Sequence, residues 1–372
     1  MSSLAAQTLA TWRRLHWSSL LCLLLLTIGG VAFVYSACYR GDGLPVAPFY
    51  RKQMYWAVAG WSALFVAAAV DYRRLEELAP WLYGAVIVLL IMTLVMGVTM
   101  NRAQRWISLF GMQVQPSEFA KLGLILMGAF FLSRPGRDLE SPWVPLQVLL
   151  LLGPPFVLIM KQPDLGTAMV LVPIAVAQLW VAGVPVRYLL RWALAAVPVL
   201  PMGWLMLGEY QRNRLLVFID PGRDPLGAGW NKIQSEIAVG SGGLWGKGFL
   251  NGTQNVLGFL PRSVAPTDFI YSVVAEETGF VGSVVLVLLY GGVLWGCYRA
   301  AVRARDAFGR LLAVGVTTLL FTHLFINLAM TIGLMPITGL PLPLISYGGS
   351  FMLSTLLALG LVQSVYSRRT RA

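Results

Sequence analysis

The sequence predicts an all-α polytopic membrane protein with about ten transmembrane helices. Its 372 residues are 57% hydrophobic and only 12% charged, with a mean hydropathy of +0.71, whereas about a quarter of a soluble domain is charged. Apolar runs long enough to cross a bilayer recur along the whole chain. Basic residues concentrate at one set of the ends of these runs, as is typical of membrane topology. We therefore expect a single integral membrane domain over 1–372.

The predicted spans lie near 17–37, 53–70, 80–100, 117–132, 143–160, 165–183, 188–207, 268–297, 310–333 and 347–367. The first follows Arg13 and Arg14 and is about 20 residues long, so we interpret it as an uncleaved helix rather than a signal peptide. Only the short link Lys161-Gln-Pro-Asp-Leu-Gly166 separates the fifth span from the sixth.

Charge distribution gives the orientation. Fifteen basic residues fall in short loops on one side and six on the other, which places both termini in the cytoplasm and the long segment 208–267 outside. The net charge of +12 is mainly explained by these basic residues in the short loops. A nucleic-acid-binding function would need a polar module with a basic face, and the sequence has none. The three cysteines are scattered and the two histidines lack a zinc-type spacing, so neither a disulfide framework nor a metal cluster is predicted.

A charged pair stands at the start of the fourth span. Pro116 suits the first helical position, which puts Glu118 near the positive end of the helix and Lys121 three residues on, on the same face. Charges just inside a bilayer must pair or face water. The two residues are therefore either part of a functional cavity or a buried pair that fixes helix packing. Asp164, at the start of the sixth span, is likewise either a helix N-cap or a cavity residue.

The segment 208–267 is too long for an idle loop. Arg212 and Arg214 stand near its start, beside the membrane surface. Further on, Gly240-Ser-Gly-Gly-Leu-Trp-Gly-Lys-Gly248 is rich enough in glycine to bring backbone N–H groups close to a phosphate, with Lys247 among them. A flexible turn is the alternative, and the residues by themselves favour it.

The stretch 258–279 carries three carboxylates into the eighth span. If the helix starts near Pro266, Asp268 lies in its first turn, Glu276 follows on the same stripe and Glu277 points to the other side. An N-cap at Thr267 and an acidic first turn would favour the helix dipole. Capping does not explain Glu276 two turns deeper, and carboxylates at this depth are costly, so we hypothesise a functional site.

Residues 327–350 are apolar but cannot form a regular helix, because Pro336, Pro341 and Pro343 interrupt them. Irregular backbone of this kind is buried in protein or lines a wet cavity. Ser346-Tyr-Gly-Gly-Ser350 then opens the last span, where free N–H groups could bind an anion. A tight turn with a helix cap is the alternative.

Taken together, these motifs resemble those of the SEDS family (shape, elongation, division and sporulation), and most of all its rod-shape, RodA-type branch. The family signature is an Asn, a Gly-x-x-Pro-x-x-Gly stretch and a proline-rich apolar run ending in Ser-Tyr-Gly-Gly-Ser, which residues 327–350 reproduce. Further segments that resemble family motifs are 115–121, 162–168, 224–229, 240–248, 252–254 and 267–270. The match departs at 262–266, where two extra residues precede Thr267, and at Phe351, which replaces a small residue.

The resemblance implies a peptidoglycan glycosyltransferase that polymerises lipid II during cell elongation and rod-shape maintenance, at the outer face of the bacterial inner membrane. It implies that Asp268 is the general base, which takes the proton of the GlcNAc 4-hydroxyl as undecaprenyl diphosphate leaves. Candidates to contact the diphosphate are Arg105, Arg212, Arg214 and Lys247. Residues that would shape or charge the cavity are Glu118, Lys121, Asp164, Ser346, Gly348, Gly349 and Ser350.

The family and substrate also imply a divalent metal, Mg²⁺ or Mn²⁺, although the sequence shows no dedicated metal box; no organic cofactor is expected. The implied partners are a class B penicillin-binding protein as transpeptidase and other membrane proteins of the elongation complex. Two further functions stay open: a lipid II flippase that uses buried charges as gates, and a non-catalytic scaffold for wall-building enzymes.

Overall fold

A computed structural model describes residues 12, 14–39, 48–100, 103–109, 112–261 and 263–369. Helices dominate these residues. The elements in chain order are α1 (Trp17–Ala37), α2 (Phe49–Ala69), α3 (Arg73–Met96), β1 (Val98–Met100), β2 (Ala103–Leu109), β3 (Met112–Val114), α4 (Pro116–Ser133), α5 (Val144–Lys161), α6 (Leu165–Ala182), α7 (Val186–Ala196), α8 (Leu200–Met206), α9 (Glu209–Ile219), α10 (Ala228–Ser241), α11 (Thr253–Val256), α12 (Ile270–Val302), α13 (Ala307–Thr331) and α14 (Gly349–Ser367).

Eight of these helices are long and apolar enough to cross a membrane: α1, α3, α4, α5, α6, α12, α13 and α14. The predicted second span is α2, a helix of 21 residues that falls outside the eight and carries Arg51 and Lys52 in its first turn. The predicted seventh span is not one helix, because Pro198 and Pro201 divide it into α7, a short 3₁₀ turn and α8. The chain is therefore a polytopic α-helical membrane protein.

A small antiparallel sheet joins α3 to α4, where the sequence predicted no strand. Its order is β1-β2-β3, with Val98 opposite Trp106 and Ser108 opposite Gln113. Because α3 ends at Met96 to enter this sheet, the predicted third span, 80–100, runs four residues too far. The central strand, β2, carries Arg105 towards the start of α6.

Two apolar cores hold the helices together. One joins α1, α2, α12, α13 and α14 through residues such as Leu23, Leu64 and Leu356, and the other packs α3 to α6 against α13 and α14. Helices α13 and α14 contribute to both cores. The Arg369 guanidinium donates to the Arg14 carbonyl at 3.0 Å, so the two described ends of the chain lie at the same end of the bundle. That this end is cytoplasmic stays a prediction.

Helix α12 is broken at Gly279, whose φ of 67° lies in the left-handed region that favours glycine. Residues 270–277, before the break, are buried all round, whereas Phe280, Val285 and Leu288 after it are exposed as lipid-facing side chains would be. The predicted span 268–297 is thus a buried half-helix followed by the membrane-crossing part. Broken helices of this kind occur where backbone is enclosed by protein.

The glycine-rich loop 240–248 closes this break. The N–H groups of Lys247 and Gly248 donate to the last carbonyls of the first half, at 3.0 Å each. The first N–H groups of the second half, at Phe280 and Val281, donate to loop carbonyls at 2.8 and 3.1 Å. The interpretation of this loop as a flexible turn is therefore wrong, because its backbone caps both halves of α12.

Candidate functional site

Asp268 lies in a turn that precedes α12. The extra residues before Thr267 are wound into this turn, where the N–H groups of residues 264 and 265 donate to the Pro261 carbonyl at 3.0 and 2.9 Å; Arg262 lies outside the described residues. Because the turn delays the helix, the prediction that Thr267 is the N-cap and Asp268 a first-turn residue is wrong. Asp268 instead stands just outside the helix and is partly exposed.

Neighbouring elements fix the backbone of this turn. Three successive carbonyls accept hydrogen bonds at 2.8, 2.6 and 2.9 Å: Pro266 from the Tyr347 N–H, Thr267 from the Ser346 hydroxyl and Asp268 from the Asn327 amide. Each donor belongs to α13 or to the segment that leads into α14. The position of Asp268 is therefore set by the part of the chain that carries the proline-rich motif.

Gly339 brings a carboxylate and a guanidinium together. A β-carbon at this position would lie 3.3 Å from Asp268 Oδ2 and 3.0 Å from Arg214 Nη1, so both groups approach the same face of the glycine. Its φ of 74° is a second reason for glycine here. Arg214 is held by the Ile337 carbonyl at 3.3 Å and by the Tyr210 ring below its guanidinium.

Arg105 and Asp164 form the other charged pair beside Asp268. Arg105 donates to the carbonyls of Gln162 and Pro163 and lies 3.6 Å from Asp164 Oδ2. Asp164 also accepts from the Thr167 N–H at 3.2 Å and is the N-cap of α6. The capping interpretation of Asp164 is therefore confirmed, and the same carboxylate contributes charge to the site.

Burial and the charges of the neighbouring residues together set the pKa of the Asp268 carboxyl. Burial raises the pKa of the Asp268 carboxyl above its usual range, while the positive charges of Arg214 and Arg105 act in the opposite direction and Asp164 adds to the rise. A carboxylate whose pKa is raised towards the working pH accepts a proton more effectively than an ordinary surface carboxylate.

Glu118 and Lys121 form a buried ion pair at 2.8 Å, with side chains 4% and 1% exposed. The Lys121 ammonium lies 3.0 Å from His323 Nε2 and 5.1 Å from the centre of the Phe351 ring. The Phe351 ring, which stands where the family has a small residue, thus packs over the Lys121 ammonium. The pair connects to Asp268 through α13, because His323 and Asn327 stand on the same face of that helix.

His323 and Asn327 were not among the predicted site residues. Their signal was a histidine and an asparagine four residues apart in an otherwise apolar span, where polar groups are costly and need partners. In the sequence, Asn327 is the first residue of the family signature, and His323 is one of two histidines that lack a zinc-type spacing.

The turn 346–350 is tied into the fold by its own polar groups. The Ser346 hydroxyl accepts from the Leu342 N–H at 2.7 Å, and the Ser350 hydroxyl accepts from the Gln115 N–H at 3.0 Å. The Trp56 ring covers Gly349, so closely that a β-carbon there would lie 2.2 Å from it. Gly348 donates to Gln53 at 3.4 Å. An anion-binding role for this turn stays a prediction.

Two predicted diphosphate ligands lie apart from Asp268. The Arg212 guanidinium donates to the carbonyls of Trp204 and Leu205 at the end of α8. The Lys247 ammonium binds the buried carboxylate of Glu276 at 2.6 Å. The structure therefore brings together Asp268, Arg214, Arg105 and Asp164, and it places Arg212 and Lys247 elsewhere.

The charged groups around Asp268 do not fit a divalent cation held by protein alone. Two of the three are guanidinium groups, and the third, Asp164, is already bound to Arg105 and to the first turn of α6. Across the part of the chain that the structure describes, no group of three His, Cys, Asp or Glu residues could hold a metal ion. Mg²⁺ and Mn²⁺ need several oxygen ligands, which these residues do not offer.

The architecture defines a polytopic membrane protein with a charged site where a buried half-helix, an apolar proline-rich loop and a large non-spanning segment meet. Residues 16–371 match the family of cell cycle proteins FtsW, RodA and SpoVE. The chain belongs to this family, as its motifs indicated.

Known relatives span nearly the same length. The peptidoglycan glycosyltransferase MrdB of Escherichia coli K12 is 38% identical over 369 residues, which cover 96% of this chain and 95% of that protein. The rod shape determining protein RodA of Thermus thermophilus is similar in structure, with a TM-score of 0.70 and 31% identity over 96% of this chain and 98% of that chain. A chain from a solved structure described as "Structural coordination of polymerization and crosslinking by a peptidoglycan synthase complex" has a TM-score of 0.79, 34% identity, and coverage of 96% and 99%.

Proposed function

We propose that this protein is a peptidoglycan glycosyltransferase that polymerises lipid II during cell elongation, with Asp268 as its general base. The observation that carries the assignment is the setting of Asp268. Its backbone carbonyl is held by Asn327, and its carboxylate lies across Gly339 from the Arg214 guanidinium. Its family and its relatives, a peptidoglycan glycosyltransferase and a rod shape determining protein, support the same activity.

In the proposed reaction the acceptor lipid II presents its GlcNAc 4-hydroxyl to Asp268. The carboxylate takes the hydroxyl proton as the oxygen attacks the anomeric carbon of the terminal MurNAc of the growing strand. The bond from that carbon to the diphosphate oxygen breaks, and undecaprenyl diphosphate leaves with its electron pair.

Arg214 is the best placed cation for this leaving group. Its guanidinium stands beside Asp268 across Gly339, and it can stabilise the negative charge that develops on the diphosphate. Arg105 contributes positive charge at longer range, because its donors are already bound to the start of α6. We propose that any divalent ion in the reaction is bound chiefly by the diphosphate oxygens.

The cellular setting follows from the same family. We propose a location in the bacterial inner membrane with the site on its outer face, where lipid II is displayed. A class B penicillin-binding protein is the proposed partner, and a similar chain solved in a complex described as coordinating polymerization and crosslinking supports it.

The decisive experiment compares wild type with Asp268→Ala and Asp268→Asn in the polymerisation of purified lipid II. The Asn variant matters most, because it keeps the size of the side chain and removes only its basicity. Loss of a general base lowers the rate by about 10²- to 10⁴-fold, so we expect glycan strands from wild type and almost none from either variant.

The same assay separates the other functions. Equal polymerisation by all three proteins would contradict the assignment of the base. Absence of strands from every protein, even with the transpeptidase partner added, would favour a lipid II flippase or a non-catalytic scaffold.

A further inference from the structure

Helix α13 presents two fully buried polar side chains, His323 and Asn327, to the apolar loop 336–343. Residues four apart lie on one face of a helix. Burial of polar groups is costly unless they are hydrogen-bonded, so the partners of these two side chains show what the face is built to hold.

Asn327 binds two backbone carbonyls at once. Its Nδ2 atom donates to the Asp268 carbonyl at 2.9 Å and to the Leu340 carbonyl at 2.8 Å. The side chain therefore fixes the proposed base relative to the loop. The residue before Leu340 is Gly339, across which Asp268 and Arg214 approach each other, so a shift at Leu340 would alter that approach.

His323 binds the next residue of the loop and a charge on another helix. Its Nδ1 atom lies 3.2 Å from the Pro341 carbonyl, which can only accept, so Nδ1 carries the hydrogen. Nε2 then accepts from Lys121 Nζ at 3.0 Å, because an ammonium can only donate. Lys121 is bound in turn to Glu118 at 2.8 Å.

We propose that His323 and Asn327 are positioning residues for the transferase. They hold Leu340 and Pro341 between two charged centres, so that Asp268 and the Glu118–Lys121 pair keep fixed positions relative to each other. The kinetic part of this proposal rests on the proposed function. A displacement of about 1 Å at a reacting group can lower a rate by about 100-fold, so these side chains act on the reaction through Asp268 and the loop.

The test uses two substitutions that each remove one bond of His323. In His323→Asn the amide can still donate near the place of Nδ1, to Pro341, while the contact with Lys121 is lost. In His323→Gln the longer side chain can accept from Lys121 near the place of Nε2, while the bond to Pro341 is lost. Asn327→Ala leaves the carbonyls of Asp268 and Leu340 without their donor. Thr318→Val is the control, because among the described residues the Thr318 hydroxyl bonds only to its own helix, at Val314.

Two measurements are made on the full-length purified proteins. The first is hydrogen–deuterium exchange of the loop 336–343, which needs no activity. The second is the steady-state rate of lipid II polymerisation, separated into kcat and KM. We expect Asn327→Ala and His323→Gln to speed exchange in the loop and to lower kcat about 10- to 100-fold with KM within twofold. His323→Asn should lower kcat with near wild-type exchange, and Thr318→Val should match wild type in both.

The proposal would be overturned if Asn327→Ala and both His323 variants showed wild-type exchange in the loop and wild-type kcat. Equal losses in these variants and in Thr318→Val would also overturn it, since they would reflect general destabilisation of α13. Failure of the proposed function looks different: Asp268→Asn would then polymerise as well as wild type, while the exchange data would still decide whether the two residues fix the loop.

Discussion

Asp268 and Arg214 share one small face of Gly339, and this arrangement sets the chemistry of the site at the scale of single residues. The guanidinium counteracts the effect of burial on the acidity of the carboxyl. A general base works only when it is ionised. In the proposed reaction, the balance between burial and positive charge around Asp268 would therefore set the lower pH limit of activity.

Removal of the positive charge at Arg214 is expected to shift the pH dependence of the reaction. The positive charge of Arg214 lowers the pKa of the Asp268 carboxyl, so Arg214→Gln should raise that pKa further. More of the carboxyl is then protonated at a given pH, and the acidic limb of the profile of kcat/KM should move to higher pH. Arg214→Lys keeps the charge and should leave the limb near its wild-type position. A limb that stays in place in Arg214→Gln would show that Asp268 does not sense this guanidinium.

At the scale of elements, the broken helix α12 and the loop 240–248 form one unit. The loop backbone caps both halves of the helix, and the Lys247 ammonium binds Glu276 at 2.6 Å. Glu276 also accepts from the Thr253 hydroxyl and the Gln254 N–H, at 3.0 and 3.1 Å. From the sequence, Glu276 could be recognised only as a carboxylate whose burial is unfavourable. In the structure its buried carboxylate binds Lys247 and so holds this loop against α12.

Substitution of Gly246 tests this unit. A β-carbon there would lie 2.1 Å from the Glu277 carbonyl, and φ is 75°, so Gly246→Ala must push the loop off the helix break. We expect it to lower the free energy of unfolding by about 2–4 kcal/mol, through overpacking and left-handed strain together. Gly243→Ala is a matched control, because φ there is 55° and no atom of the described residues lies within 4 Å of the added carbon. This substitution should cost about 1 kcal/mol. Thermal unfolding in detergent measures both, and equal losses would argue against a tight contact at Gly246.

The sequence predicted elements that depend on local chemistry and missed those that depend on contacts between distant segments. Pro116 begins α4 and Asp164 caps α6, as local preferences indicated. The break at Gly279 was not predicted, because a glycine shows its left-handed conformation only where another segment, here 240–248, requires it. The start of α12 was misplaced because the extra residues before Thr267 form a turn whose hydrogen bonds no motif encodes.

At the scale of the whole molecule, the site lies where both apolar cores meet the non-spanning segments. Helix α13 contributes to both cores, and its polar face carries the contacts to Asp268 and Lys121. The charged residues could be predicted singly, since polar groups in apolar spans are few. Their grouping could not, because it depends on how segments far apart in the sequence, among them α9, α13 and the turn before α12, pack around residues 336–343.

The proposed function requires that Asp268 face the outer side of the membrane. The orientation of the protein in the membrane can be measured directly. Residues 14 and 369, near the two ends of the described chain, are hydrogen-bonded to each other. The distribution of basic residues predicts that this end of the bundle is cytoplasmic. In a protein whose native cysteines are replaced by serine, Arg223→Cys should then react with a membrane-impermeant maleimide on intact cells. Glu140→Cys, in the exposed loop between α4 and α5, should react only after the cells are opened. The opposite pattern would place Asp268 on the cytoplasmic side, where lipid II displayed at the outer face could not reach it.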